Sequence, residues 1–133
     1  SLPMSAKQII RTEKSPLPKG PYSQAVKFGN LLFVAGQIPI DTAGNPVGVG
    51  NIEEQTRQVL NNMKAILEAA STSLDNVLKT TVYLQDLAEW GRMNAVYAEF
   101  FKKDPPARAA VQTDFSGLKN HWRVEIEAVA FVA

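Results

Sequence analysis

The chain has 133 residues, 14 Lys plus Arg against 13 Asp plus Glu, a formal net charge of +1, one histidine and no cysteine. This is the length of one domain that buries a core without staples, and the missing thiols exclude disulfides, thiolate zinc sites and a cysteine nucleophile. Charge this balanced gives no strong pull toward nucleic acid or an anionic membrane, and no apolar run approaches the roughly 18 residues that span a bilayer.

Residues 1–13 read as an N-terminal extension with a first strand, of which Ser1 to Ser5 look like a vector remnant or a trimmed leader, and 14–133 read as one domain. No repeat or linker divides it. After an irregular lead-in containing Pro16, Pro18, Gly20 and Pro21, the segments Tyr22 to Phe28 and Leu31 to Gly36 flank Gly29-Asn30, a two-residue hairpin signal. The continuous apolar run Leu31 to Ala35 places the second of these strands inside a sheet. Asp41 to Pro46 reads as a turn with Gly44-Asn45 at its tip. Asn51 can cap a helix, with Glu54 reaching back, and Ile52, Val59, Leu60, Met63, Leu67 and Ala70 recur at helical spacing behind it. Val77 to Leu84 has strand composition. A second helix is predicted from Asp86, with Glu89 as capping partner and Trp90, Met93, Val96, Tyr97, Phe100 and Phe101 as a core stripe, ended by Pro105-Pro106. Strands follow at Ala109 to Thr113 and Arg123 to Ala133.

The last strand alternates, with Val124, Ile126, Ala128, Ala130 and Val132 on one side and Arg123, Glu125, Glu127, Val129 and Phe131 on the other. Helices crossing over between strands pack on one face of one sheet. The other face then carries Val129 and Phe131 beside Glu125 and Glu127, with Lys79, Thr81 and Tyr83 as neighbours, a mixture suited to a subunit interface holding a polar pocket.

Chemistry is constrained by what is missing. His121 is the single histidine and falls in a loop, no spacing supports a metal site, and Gly44 to Gly50 lacks the Lys-Ser/Thr of a phosphate loop. Catalysis would use Arg, Glu, Tyr, Asn, backbone groups and water, without a cofactor. Arg108 follows Pro105-Pro106-Ala107, beside the small Ala109 and Ala110, where a guanidinium could grip a carboxylate through two hydrogen bonds. Glu125, on the less apolar side of its strand, could carry a raised pKa and shuttle protons to and from water. On spacing alone, ion-paired surface residues are the simpler reading of both.

The segments Gly20-Pro21-Tyr22-Ser23-Gln24-Ala25, Gly36-Gln37-Ile38-Pro39, Asn94-Ala95-Val96-Tyr97, Pro106-Ala107-Arg108 and Val124-Glu125-Ile126-Glu127-Ala128 resemble the RidA/YjgF family of reactive intermediate deaminases, in its order and near its spacing. The resemblance implies a chorismate-mutase-like α+β fold, a mixed sheet of about six strands with two helices on one face, assembling into a homotrimeric barrel with clefts between subunits. It implies hydrolysis of 2-iminobutanoate, 2-iminopropanoate and similar imines to 2-oxo acids and ammonia. By position, Glu125 matches the glutamate that activates water. Arg108 matches the carboxylate-binding arginine, and Tyr22, Asn94, Gly36 and the Ala110 amide complete the substrate-binding set. The chain departs from the family at Ala35, where many members have serine, at Ala109-Ala110, where many have Ser-Cys, and in a longer loop from Asp114 to Trp122. The alternatives are a small-carboxylate-binding protein or holdase without turnover, and a ribonuclease or translation inhibitor, which the charge balance disfavours. The expected compartment is the cytoplasm, or the mitochondrial matrix if a presequence was removed.

Overall fold

The computed structural model describes residues 6–117 and 121–133, so Ser1 to Ser5 and residues 118–120 of the 114–122 loop lie outside the described residues. In chain order the elements are β1 (Gln8–Ile10), β2 (Ala25–Phe28), β3 (Leu31–Gln37), α1 (Ile52–Ala69), β4 (Val77–Leu84), α2 (Trp90–Phe100), β5 (Ala107–Gln112) and β6 (Val124–Phe131). The strands form one sheet in the order β1-β2-β3-β6-β4-β5. β4 and β5 run parallel and the other pairs antiparallel, giving the mixed α+β architecture expected from the sequence.

Turn chemistry sets the entry to this sheet. Gly29 takes φ +61, a left-handed conformation that favours glycine, and lets Phe28 pair directly with Leu31. The Asp41 carboxylate accepts from the amides of Ala43 and Asn45 at 3.0 and 2.9 Å, closing the predicted turn.

The capping box of α1 is half formed. Asn51 Oδ1 accepts from the Glu54 amide at 3.0 Å, but the Asn51 N–H donates to Gly48 O at 2.8 Å, so Glu54 has no donor to reach back to. Ile52, Val59, Leu60, Met63 and Leu67 are buried, and α1 packs on β3 and β6. The second helix starts later than expected. Asp86 caps a single 3-10 turn at Leu87–Glu89 by accepting from the Ala88 amide at 2.9 Å, and α2 begins at Trp90. Glu89 closes no box, because its carboxylate accepts from Arg123 Nε at 2.6 Å.

The alternation in β6 holds. Val124, Ile126, Ala128 and Ala130 are buried beneath the helices, and Glu125, Glu127, Val129 and Phe131 share the helix-free face. Lys79, Thr81 and Tyr83 pair with Val129, Glu127 and Glu125 on that face. β3 adds Leu31 opposite Phe131 and Phe33 opposite Val129, with Phe33 48% exposed. The helix-free face is therefore apolar toward β3 and polar toward the β4 end of β6.

Candidate active site

One group of site residues gathers around Glu125 on the helix-free face. The register between β3 and β6 breaks between Val34 and Gln37, which brings Gly36 against the Glu125 side chain. A Cβ at position 36 would stand 2.8 Å from Glu125 Cδ, closer than a side-chain carbon tolerates, so glycine is the residue that lets the carboxyl lie there. Glu125 is partly buried in an open depression of about 390 Å³ lined also by Tyr22, Ala35, Gly36, Ile38 and Trp122. Burial, and secondarily the charge of Glu127, pushes its carboxyl above the ordinary carboxylate value. The neighbouring Glu127 has a different environment. Tyr83 donates its hydroxyl to Glu127 Oε1 at 2.6 Å, and that bond, ahead of burial, holds the Tyr83 phenol above its usual value. Of the two carboxylates, Glu127 is exposed and engaged, whereas Glu125 is the one facing the cavity without a hydrogen-bonded partner among the described residues.

Tyr22 lies in a loop, since β2 begins three residues later than the sequence suggested. Two glutamines fix this loop. The buried Gln24 donates to the carbonyls of Thr12 and Pro16 at 3.0 and 2.9 Å and accepts from the Thr12 amide at 2.8 Å. Gln37 accepts from the Ser15 hydroxyl at 3.4 Å, tying the lead-in to β3, and donates to Ala35 O at 2.9 Å within that strand. Glutamines satisfying the backbone of an irregular segment make its path specific, and Tyr22 is thereby held at the mouth of the depression. One glutamine falls in the Gly20 to Ala25 motif and the other in the Gly36 to Pro39 motif, but a motif does not say which of its residues is structural.

The second group surrounds Arg108. Because β5 begins at Ala107, Arg108 lies within the strand, paired with Thr80, and both face the helices. Its Nη1 donates to Asn94 Oδ1 at 2.7 Å, and its Cζ lies 4.7 Å from the Tyr97 ring centroid and 5.7 Å from that of Trp90. The aromatic stripe of α2 is thus only partly core. Met93, Val96, Tyr97 and Phe101 are buried, but Trp90 is exposed, and with Tyr97 it offers π-faces to the guanidinium. No carboxylate pairs with Arg108 among the described residues. The amide and the rings orient its fork without neutralising its charge. Thr113 donates its amide to Leu84 O across the β4 side at 2.8 Å. By the alternation of backbone groups along a strand, the Ala110 N–H points the other way, to the open edge of β5.

Within one chain the two groups do not meet. Arg108 faces the helix side of the edge strand β5, Glu125 faces the helix-free side of β6, and β4 runs between these strands. His121 is an exposed loop residue, as expected.

The family model described as Endoribonuclease L-PSP matches residues 12–132. The chain belongs to this family, the RidA/YjgF family. The chain covers most of the length of the relatives it matches. A RutC family protein of Pyrococcus horikoshii is 54% identical over 125 residues, covering 94% of this chain and 98% of the relative. The human 2-iminobutanoate/2-iminopropanoate deaminase is 41% identical over 124 residues, covering 93% and 89%. The crystal structure of E. coli TdcF with bound serine superposes with a TM-score of 0.87 at 35% identity, covering 95% and 99%. The RidA-like fold expected from five short motifs is thus the fold observed.

Proposed function

We propose that this RidA-family chain is a cofactor-free hydrolase that converts 2-iminobutanoate, 2-iminopropanoate and related 2-imino acids to 2-oxo acids and ammonia, in clefts between the subunits of a homotrimer. The observation that carries the reading is the separation of two unfinished half-sites. Among the described residues, an oriented guanidinium without a carboxylate stands on one side of the sheet, and a raised-pKa carboxyl without a cation stands on the other. Association of copies through the helix-free face, with its exposed Leu31, Phe33 and Val111, would bury that apolar surface. An assembly that also engages the open β5 edge would bring the Arg108 group of one copy toward the Glu125 depression of the next. The name of the human relative and the serine bound in TdcF favour a small amino-acid-like ligand.

The chemistry follows from the groups. Arg108 and the Ala110 N–H hold the substrate carboxylate, fixing the imine carbon beside Glu125. The Glu125 carboxylate takes a proton from a water as the water oxygen bonds to that carbon, and delivers the same proton to the nitrogen to give a neutral carbinolamine. Glu125 then takes the carbinolamine hydroxyl proton and passes it to the amine, the C–N bond breaks, and ammonia leaves as the 2-oxo group forms, with the carboxylate regenerated. One water is consumed and no electrons are exchanged, so no redox partner is needed.

The test follows 2-iminobutanoate formed in place by threonine dehydratase. Acceleration over the spontaneous rate is expected, with kcat/KM rising with pH as Glu125 ionises, along a limb displaced above the ordinary carboxylate value. For stability the same shift has the opposite sign. The native state binds the proton more tightly than the unfolded chain, so stability falls as pH rises from the ordinary value through the raised one. No acceleration, with the oxo-acid product still bound, would leave a carboxylate-binding protein.

A further inference from the structure

Trp122 takes no part in the hydrolytic steps, yet the backbone on both sides of it is pinned. Gln55, buried on α1, donates to Gly48 O at 3.1 Å and His121 O at 3.2 Å, and its Oε1 accepts from the Arg123 amide at 2.7 Å. Arg123 is held in turn by Glu89 at 2.6 Å. His121 takes φ +53, an unfavourable conformation for a non-glycine residue that persists where the surroundings enforce it. This clamp delivers Trp122 to the rim of the Glu125 depression, where the ring packs tilted on Phe115 at 6.0 Å between centroids. The indole Nε1 is buried and has no hydrogen-bond acceptor among the described residues.

Trp122 also lines a second depression, of about 250 Å³, which shares Tyr22, Gly36, Ile38 and Trp122 with the first and continues to Leu17 and Ile40. With the imine carbon beside Glu125, the substrate substituent has this arm to enter. A water needs only about 10–15 Å³ of such space, so a methyl or ethyl group leaves most of the arm unfilled.

We propose that Trp122 is the specificity-determining residue of the cleft, walling with Leu17, Ile38 and Ile40 an apolar arm that selects 2-imino acids with a branched or aromatic side chain. The assignment rests on the imine-hydrolase reading above. Lys19 also lines the arm, but it is exposed, and an exposed cation contributes little to binding a second carboxylate. An apolar side chain gains from each methylene it removes from water.

The test measures kcat/KM for imines generated by D-amino-acid oxidase from D-alanine, D-leucine and D-phenylalanine, and by D-aspartate oxidase from D-aspartate. The leucine-derived imine is expected to exceed the alanine-derived one by at least tenfold, in line with the 10- to 200-fold that a methylene is worth in an apolar pocket. Trp122→Ala, which removes the wall, and Leu17→Trp, which fills the arm, should each reduce that ratio at least fivefold, and Trp122→Phe should keep most of it. Equal turnover of the alanine and leucine imines by wild type, or a ratio untouched by both variants, overturns the assignment and leaves the hydrolase reading intact. So does a preference for the aspartate-derived imine that disappears in Lys19→Ala. No acceleration with any imine overturns both.

Discussion

Replacing Arg108 with alanine is expected to lower kcat/KM for 2-iminobutanoate hydrolysis by tens to thousands of fold, corresponding to about 2–5 kcal/mol for the loss of one partner from a charge-assisted, hydrogen-bonded pair. The loss should fall mainly on KM, because the guanidinium binds the carboxylate and stands apart from the reacting bond. Arg108→Lys should recover only part of it. A lysine supplies charge but neither the two-pronged fork nor the flat cation that lies against Tyr97 and Trp90 at 4.7 and 5.7 Å. Thermal stability should also fall, since the alanine removes one hydrogen bond to Asn94 and cation–π contacts with Tyr97 and Trp90, each worth roughly 0.5–1 kcal/mol or more where the ring is buried. The measurement is steady-state kinetics of the three proteins beside their melting curves.

Glu125→Gln is expected to lower kcat by about 100- to 10,000-fold, the usual contribution of a positioned general base, with little change in KM. Glutamine keeps the size of the side chain and its place beside Gly36, but it cannot accept a proton from water. The acidic limb of the wild-type pH profile should vanish with it, since that limb is assigned to a carboxyl raised by burial and by Glu127. Glu127→Gln provides the contrast. Its carboxylate is exposed and hydrogen-bonded to Tyr83, so the limb should shift modestly downward as a neighbouring negative charge is removed, and kcat should survive.

These two residues also mark where the sequence was legible and where it stopped being so. Period-two alternation from Val124 onward placed Glu125 opposite the core, and Lys79, Thr81 and Tyr83 joined it as expected, because alternation is a local property of a strand. The Pro105-Pro106 stop pointed to Arg108 for a similar local reason. Its side of the sheet was a different matter. That depends on β5 pairing in parallel with β4 at the edge, a long-range choice that no local spacing encodes. The same limit hid the role of Trp90 and Tyr97. An aromatic residue on an amphipathic helix has one pattern whether it packs in the core or lies against a cation, and the distinction is set by what the neighbouring strand presents. Gly36 read as part of a motif, but the irregularity between Val34 and Gln37 that sets it against Glu125 left no mark beyond the glycine itself. Gln24 and Gln55, each buried and each holding an irregular segment, look from sequence like ordinary polar residues.

Whether one active site takes Arg108 from one copy and Glu125 from another is settled by mixing two impaired variants and assaying them at substrate concentrations well below KM. Arg108→Ala and Glu125→Gln chains are unfolded together in equal amounts, refolded, and checked by native mass spectrometry for assemblies containing both. With sites shared between subunits, about one interface in four receives an intact arginine and an intact glutamate by chance. At such low substrate, hydrolysis of 2-iminobutanoate should then return to roughly a quarter of the wild-type kcat/KM, well above that of either variant alone. Mixed assemblies that stay as impaired as their parents would contradict the shared site and place both residues' work within a single chain.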